Sequence, residues 1–239
     1  MTEKPNFFDN VTLQAILGDL GHVVALERWG PKISQRVIWR APIHERKIAL
    51  TFDDGPHPVY TPKILEVLER FKVPATFFLI GKHVQNNLTL ARETVQAGHE
   101  VGNHTFTHRR LWRLTDINMF DEIKRTDEVL RNLNGVAPRF LRPPMGAFSK
   151  RVLNNVESVG YKTVIGNVYP RDSHLPSKEK ILSRVLNRII KGSIIILHDG
   201  GNTNHVDRSR TIWAAERFIP ELQERGFEFV TLSDLLGHI

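Results

Sequence analysis

The sequence predicts an α/β fold: a parallel sheet closed, or nearly closed, into a barrel of about seven strands. Three observations predict it. Short β-rich runs alternate with amphipathic helical runs from Lys47 onward. Several strand runs are apolar at consecutive positions, as in Ile194–Leu197, the pattern of strands buried on both faces. The chain has 239 residues, close to the ~250 of a typical α/β barrel. An open doubly wound sheet is the alternative architecture.

Residues 1–40 stand outside the alternation and are expected to form an N-terminal extension packed on the barrel, with a single domain at 41–239. Val11–Leu26 is the apolar stretch of that extension, interrupted by Asp19 and His22. It reads as a short amphipathic helix and not as a secretory signal, because Met1–Phe8 is no basic leader and no small-residue cleavage site follows. The first strand is Lys47–Phe52. The helix Thr61–Phe71 places Ile64, Leu65, Val67, Leu68 and Phe71 on one face, with Thr61 as N-cap, Pro62 at the first helical position and a stop before Pro74. Strand Ala75–Ile80, helix Leu88–Ala97, strand Glu100–Asn103 and helix Asp116–Leu133 follow. Next come strand Arg139–Arg142, helix Lys150–Val159 and strand Lys162–Gly166. Helix Lys178–Lys191 carries Ile181, Leu182, Val185, Leu186, Ile189 and Ile190 as its apolar positions. Strand Ser193–His198, helix Thr211–Arg225 and strand Phe227–Leu232 complete the series. Gly98, Gly135, Gly160, Gly192 and Gly226 each follow a helical run, where a left-handed residue closes the helix. No Pro/Gly/Ser-rich linker and no internal repeat divides the series.

Composition narrows the function. With 41% apolar and 25% charged residues the chain is globular, not disordered. No apolar run approaches the ~18 residues of a membrane-spanning helix. Cysteine is absent, so there is no disulfide framework and no thiolate metal site; a metal must be held by histidines and carboxylates. The net charge of +7 suits an anionic partner. The basic residues are scattered and form no stripe, so no nucleic-acid partner is expected. Compartment and oligomeric state carry no signal.

The polar residues are informative through their placement. Asp53 and Asp54 follow the first strand, His104 and His108 follow Glu100–Asn103, Arg142 ends Arg139–Arg142, Asp172 lies in the loop after Lys162–Gly166, and His198-Asp199 ends Ser193–His198. In a parallel barrel the carboxyl ends of all strands converge on one face, where active sites sit. Adjacent carboxylates repel, and a cation relieves that; taken alone, Asp53-Asp54-Gly55 is also an ordinary Asp-Gly turn. Histidines at i and i+4 share one face of a helical turn and can reach one ion; taken alone, they are also unrelated core or surface residues. One Asp and two His together make a three-donor N/O set with an open position, the pattern of a catalytic metal site. Arg142 is a cation able to orient a carboxylate, and His198 is a candidate general acid. Alone, these two read as a structural ion pair and a satisfied core histidine. His57, close to Asp54 in sequence, is a candidate to shape the pocket.

Five motifs, in order, resemble those of the polysaccharide deacetylases of the NodB-homology, carbohydrate esterase family 4 type: Thr51–Gly55, His104–His108, Arg142–Gly146, Pro170–Asp172 and Leu197–Asp199. The resemblance runs from about Arg46 to Leu236. It implies a deformed (β/α) barrel and a divalent metal held by Asp54, His104 and His108, with Zn2+ fitting the donor set and Co2+, Ni2+ or Mn2+ as alternatives. It implies Asp53 as the general base toward water at the metal, Arg142 holding Asp53, His198 protonating the leaving amine and Asp172 tuning His198. Leu197 would line the acetyl pocket, and the backbone N–H of Met145 would stabilise the oxyanion. The implied activity is removal of N-acetyl groups from N-acetylglucosamine-containing glycans of chitooligosaccharide or peptidoglycan type. An O-acetyl esterase on xylan-like glycans or a small-molecule deacetylase would use the same site, and a non-catalytic glycan-binding module would lack a ligand residue. Two motifs depart from the pattern. Met145 stands where the family has an aromatic residue, and Tyr169-Pro170-Arg171-Asp172-Ser173 stands where it reads Asp-x-x-Asp-Trp.

Overall fold

The computed structural model describes residues 34–201 and 206–237. The amphipathic helix expected at Val11–Leu26, and the packing of residues 1–33, lie outside the described residues.

Among the described residues the sheet has eight strands: β1 Val37–Ile38, β2 Lys47–Asp53, β3 Thr76–Leu79, β4 Glu100–Asn103, β5 Phe140–Leu141, β6 Lys162–Val164, β7 Ile194–His198 and β8 Glu228–Val230. Their order is β1-β6-β5-β4-β3-β2-β7, and every ladder is parallel. Strand β8 pairs with the start of β2, at Lys47–Ala49, while β3 pairs with its end, at Thr51–Asp53. Since β7 occupies the opposite edge of β2, β8 and β3 share one edge in succession. The far edge of β7 meets the chain again through single bridges, Val168 to Ile195 and Arg40 to Ser193. The barrel thus closes by isolated contacts instead of a full ladder, which is its deformation.

The α-helices of the described residues are α1 Tyr60–Phe71, α2 Gly81–Asn86, α3 Leu88–Gln96, α4 Asp116–Asn134, α5 Lys150–Ser158, α6 Lys178–Arg188, α7 Ser209–Glu224 and α8 Leu232–Leu236. Thr115, Ser149, Ser177 and Thr231 cap α4, α5, α6 and α8 by accepting from backbone N–H groups of the first turn. None of the described helices is long and apolar enough to cross a membrane.

The alternation of side chains along the strands separates core from site. Ile48, Leu50 and Phe52 of β2, Phe77 and Leu79 of β3, and Ile195 and Leu197 of β7 join α1, α6 and α7 in the largest core cluster. Phe52 stacks on Phe77 with centroids 5.1 Å apart; truncating either to Ala costs about 3–5 kcal/mol. The opposite face of the same strands carries Ala49, Phe78 and Ile194, packed on Leu232, Leu235 and Leu236 of α8. Toward the carboxyl ends that face carries Thr51, Asp53 and His198. Asp53 and His198 are direct partners in the β2–β7 register.

The structure corrects several local expectations. Thr61 is not the N-cap of α1: the cap is Val59, without a side-chain bond, and the Thr61 hydroxyl serves the site described below. Lys72, at φ 54°, closes α1 in the left-handed conformation. Helix α6 ends at Arg188, so Gly192 is no helix cap; its φ of +76° serves a turn so tight that a Cβ would lie 2.1 Å from the Ala41 carbonyl oxygen. Strand β1 belongs to the sheet although it falls within the segment expected to precede it. Its two residues, and the short helices α2 and α8, are too brief for a periodic signal.

Candidate active site

Asp53, the last residue of β2, is 4% exposed and Arg142, just past β5, is 2% exposed. The Arg142 Nη1 donates to Asp53 Oδ1 at 2.6 Å and to Thr51 Oγ1 at 2.8 Å, and its Nε donates to the Val164 carbonyl at 3.3 Å. The guanidinium lies 4.1 Å over the Phe78 ring. A buried cation so engaged holds one oxygen of Asp53 in a fixed place.

Asp54 follows with φ 76°; this left-handed step turns its side chain from the strand toward His104 and His108. Its Oδ1 lies 3.3 Å from His104 Nε2 and 3.2 Å from His108 Nε2. The three donor atoms fall within 4.8 Å of one another. The two histidines converge, but not on a helical turn as their spacing predicts: the segment is a loop, with Thr105 at φ 66° and His108 at φ 55°.

The triad fits a divalent metal. His104 Nδ1 sits 2.6 Å from the Arg142 carbonyl oxygen. That contact requires a hydrogen on Nδ1, so in the neutral ring Nε2 presents a lone pair to Asp54. Among the described residues, Asp54 Oδ1 is buried and has no hydrogen-bond partner. Burial works against the Asp54 carboxylate, but the surrounding His104, His108 and His198 outweigh it and hold it well below the usual carboxylate range. Burial pushes His108 down to about 4, although Asp54 pulls the other way. An ionised carboxylate and imidazoles with lone pairs converging on one point are what a cation such as Zn2+ takes.

His198 closes the opposite side. Its Nδ1 is 2.8 Å from Asp172 Oδ1, and its backbone N–H donates to Asp172 Oδ2 at 2.9 Å. Thr211 Oγ1 donates to the same Oδ2 at 2.9 Å. Burial opposes a charge on His198, but Asp172, with Asp54 and Asp53 behind it, raises the imidazole to about 9. The pairing with Asp172 forms despite the unusual residues around it.

Backbone packing joins the two turns that carry these groups. A Cβ on Gly55 would lie 2.1 Å from Asp199 Oδ2, and one on Gly200 would lie 2.2 Å from the Asp54 carbonyl oxygen. Asp199 is fully buried, receives the Thr61 hydroxyl, and is pushed up to about 7 by burial. The hydroxyl of Thr61 also accepts the His57 N–H at 2.8 Å. This Asp199–Thr61–His57 chain braces the loop after Asp54.

The strands thus bring together Asp53, Asp54, His104, His108, Arg142, Asp172 and His198. Met145 follows on Arg142 in a one-turn 3-10 helix, Pro144–Gly146, with φ 60°; its side chain is 39% exposed, beside Arg110, whose Nε lies 3.2 Å from Sδ. Leu197 is not where the sequence placed it. It is fully buried in the core cluster under the helices, on the face of β7 opposite His198; Ile196, two residues before His198, shares the His198 face and packs in a separate cluster with Trp39, Leu153 and Ile165.

Tyr169 is a site residue that the sequence reading missed. Its ring lies 6.0 Å from that of His198, and its hydroxyl is 2.6 Å from Ser173 Oγ. Burial, then the charge of Asp172, raises its phenol, with Asp53 and Asp54 adding to the rise. The aromatic residue at the atypical motif was the available signal.

Comparison with known proteins decides the family. The polysaccharide deacetylase family model matches residues 40–164. A peptidoglycan-N-acetylglucosamine deacetylase of Bacillus cereus is 39% identical over 204 residues, 84% of this chain and 93% of that protein. The chain belongs to the polysaccharide deacetylase family. A chitooligosaccharide deacetylase of Bradyrhizobium is 41% identical over 198 residues, 80% of this chain and 90% of the relative. Among solved structures, the Bc1960 peptidoglycan N-acetylglucosamine deacetylase in complex with 4-naphthalen-1-yl-N-oxidanyl-benzamide superposes with a TM-score of 0.80 at 31% identity, over 89% of this chain and 97% of that one. A CE4 family pseudoenzyme from Bacillus anthracis superposes with a TM-score of 0.77 at 29% identity, over 84% of this chain and 69% of that one. The deformed barrel is therefore the fold of this family, and a pseudoenzyme among the neighbours makes the site, not the fold, the argument for activity.

Proposed function

We propose that the chain is a divalent-metal-dependent hydrolase that removes N-acetyl groups from N-acetylglucosamine-containing glycans of peptidoglycan or chitooligosaccharide type. One observation carries it: the Asp54–His104–His108 triad lies between a carboxylate held by a buried arginine and an imidazole backed by a buried carboxylate. A divalent ion in the triad supplies Lewis-acid polarisation of the acetyl carbonyl and makes water more acidic. Zn2+ suits the donors best.

Asp53, with Oδ1 held by Arg142, takes the proton of the attacking water on its other oxygen. His198, with Nδ1 tied to Asp172, delivers a proton from Nε2 to the departing amine. A raised imidazole suits an amine, a poor leaving group that must be protonated, which favours N- over O-deacetylation. The backbone N–H of Met145 assists the developing oxyanion, worth about 100-fold or more in comparable sites.

The test is acetate release from chitin oligomers, peptidoglycan and acetylated xylan, before and after chelation. Chelation abolishes release and added Zn2+ or Co2+ restores it; full activity in verified metal-free protein overturns the reading. Asp53→Asn keeps the metal and lowers turnover by about 100-fold or more. Loss of metal in that variant makes Asp53 a ligand and not the base.

A further inference from the structure

A second concavity opens beside the triad. It has a volume of about 590 Å³, and His57, Lys82, His83, Asn86, Asn87 and His108 are among the residues that line it. That volume is within the ~300–1,000 Å³ of small-molecule sites and accommodates one sugar unit with its substituent. It adjoins the catalytic centre through two contacts: His108 belongs to both, and His83 Nδ1 lies 2.8 Å from the Asp54 carbonyl oxygen. A glycan chain with one sugar at the triad has a neighbouring sugar within reach of this groove.

The lining has a definite chemistry. No carboxylate lines the groove among the described residues, and Lys82 is its one permanently charged side chain. Lys82 is exposed, and no ion pair to it occurs among the described residues. His57 Nδ1 accepts the Val59 N–H at 3.1 Å, so the proton of the neutral ring sits on Nε2 as a donor. The Asn87 amide donates its N–H to the His83 carbonyl at 3.0 Å, which leaves its oxygen for a sugar hydroxyl. Helix α2 carries Lys82 and His83 and is fixed in place: the N–H groups of Gly81 and Lys82 donate to the carbonyls of Thr105 and Phe106 at 3.0 and 2.9 Å. The Lys82 ammonium is thus presented by an anchored backbone.

We propose that this groove is a subsite for a carboxylate-bearing sugar adjacent to the one being deacetylated, with Lys82 as the partner of the carboxylate. The proposal rests on the deacetylase reading and narrows its substrate class: a glycan in which alternate sugars carry a lactyl-ether carboxylate is preferred over a neutral chitin oligomer. Lys82 here is a specificity residue and takes no part in the bond-breaking chemistry.

The experiment compares kcat/KM on chitotetraose with that on a peptide-free tetrasaccharide whose alternate sugars carry the lactyl carboxylate. It uses wild type, Lys82→Gln and Lys82→Glu, at about 0.02 M and about 0.5 M salt, which spans strong to weak electrostatic range. An exposed ion pair contributes up to about 5-fold, so Lys82→Gln lowers the preference for the anionic substrate by roughly 3–5-fold and Lys82→Glu by about 10-fold. The change lies in KM, shrinks at high salt, and leaves kcat on chitotetraose unaltered. A preference that is the same in all three proteins, or an equal KM rise on both substrates, overturns the proposal. Calorimetric binding of each tetrasaccharide to the same proteins separates the two readings. If neither substrate releases acetate, the deacetylase assignment fails, while tighter binding of the anionic sugar to wild type than to Lys82→Glu still upholds the groove, and equal binding refutes it.

Discussion

His104 and His198 are two imidazoles at strand ends of one barrel, each held through Nδ1, and their partners differ. His104 Nδ1 faces a backbone carbonyl, that of Arg142, at 2.6 Å. His198 Nδ1 faces a carboxylate, that of Asp172, at 2.8 Å. The carbonyl fixes a tautomer and leaves Nε2 as a lone pair directed at Asp54, which suits a metal ligand. The carboxylate adds a negative charge, which overcomes burial and raises His198 to about 9, which suits a proton donor. One ring thus serves two kinds of chemistry according to the charge on its second nitrogen's partner.

The largest expected effect comes from removing the lone pair. His104→Ala leaves Asp54 and His108, two donors where three are needed, so bound metal measured by elemental analysis drops below stoichiometry and acetate release falls to background. Retained metal with lost turnover would instead give His104 a part in the chemistry and break the contrast. His198→Ala comes next. Loss of a general acid costs roughly 100- to 10,000-fold on an amide, and less on an activated ester whose leaving group needs no proton. Metal content stays as in wild type. Equal losses on amide and ester remove His198 from the acid role.

The smallest effect is the sharpest test of the comparison, because Asp172→Asn gives His198 a neutral partner of the kind that His104 already has. The sign follows from the charges. In the proposed mechanism protonated His198 is the active form, so the rate is expected to decline as pH rises through its value, about 9 in wild type. Without the carboxylate, burial acts unopposed by its main partner, and the alkaline limb of the pH–rate profile moves down by more than about one unit, toward the ordinary imidazole range near 6.5. The limbs report coupled, macroscopic values, so the shift between parent and variant is the quantity to read. An unmoved limb shows that Asp172 does not set the proton affinity of His198.

Much of this arrangement was legible in the sequence. Glu100–Asn103 is a strand with the expected bounds, and α4 begins at Asp116 as expected, where Thr115 supplies a cap. The chemistry-bearing residues stood at strand ends, and parallel strands have no choice but to bring those ends to one face. Other features escaped for physical reasons. Helix α2 buries only Gly81 and Val84, too few for a periodic signal, and is held by bonds to Thr105 and Phe106 that no local pattern announces. The placement of Leu197 failed although its signal was available: successive strand residues face opposite sides, so the neighbour of His198 had to point into the helix layer.

What the sequence determined by itself is the alternation of strands and helices, and with it the set of carboxylates, histidines and one arginine delivered to a common rim. What only the tertiary structure decided is the state in which each of them waits. The partner of His104 lies 38 positions along the chain and that of His198 lies 26 positions away. An imidazole becomes a ligand or an acid through what its other nitrogen touches, and that contact forms only when distant strands close into the barrel.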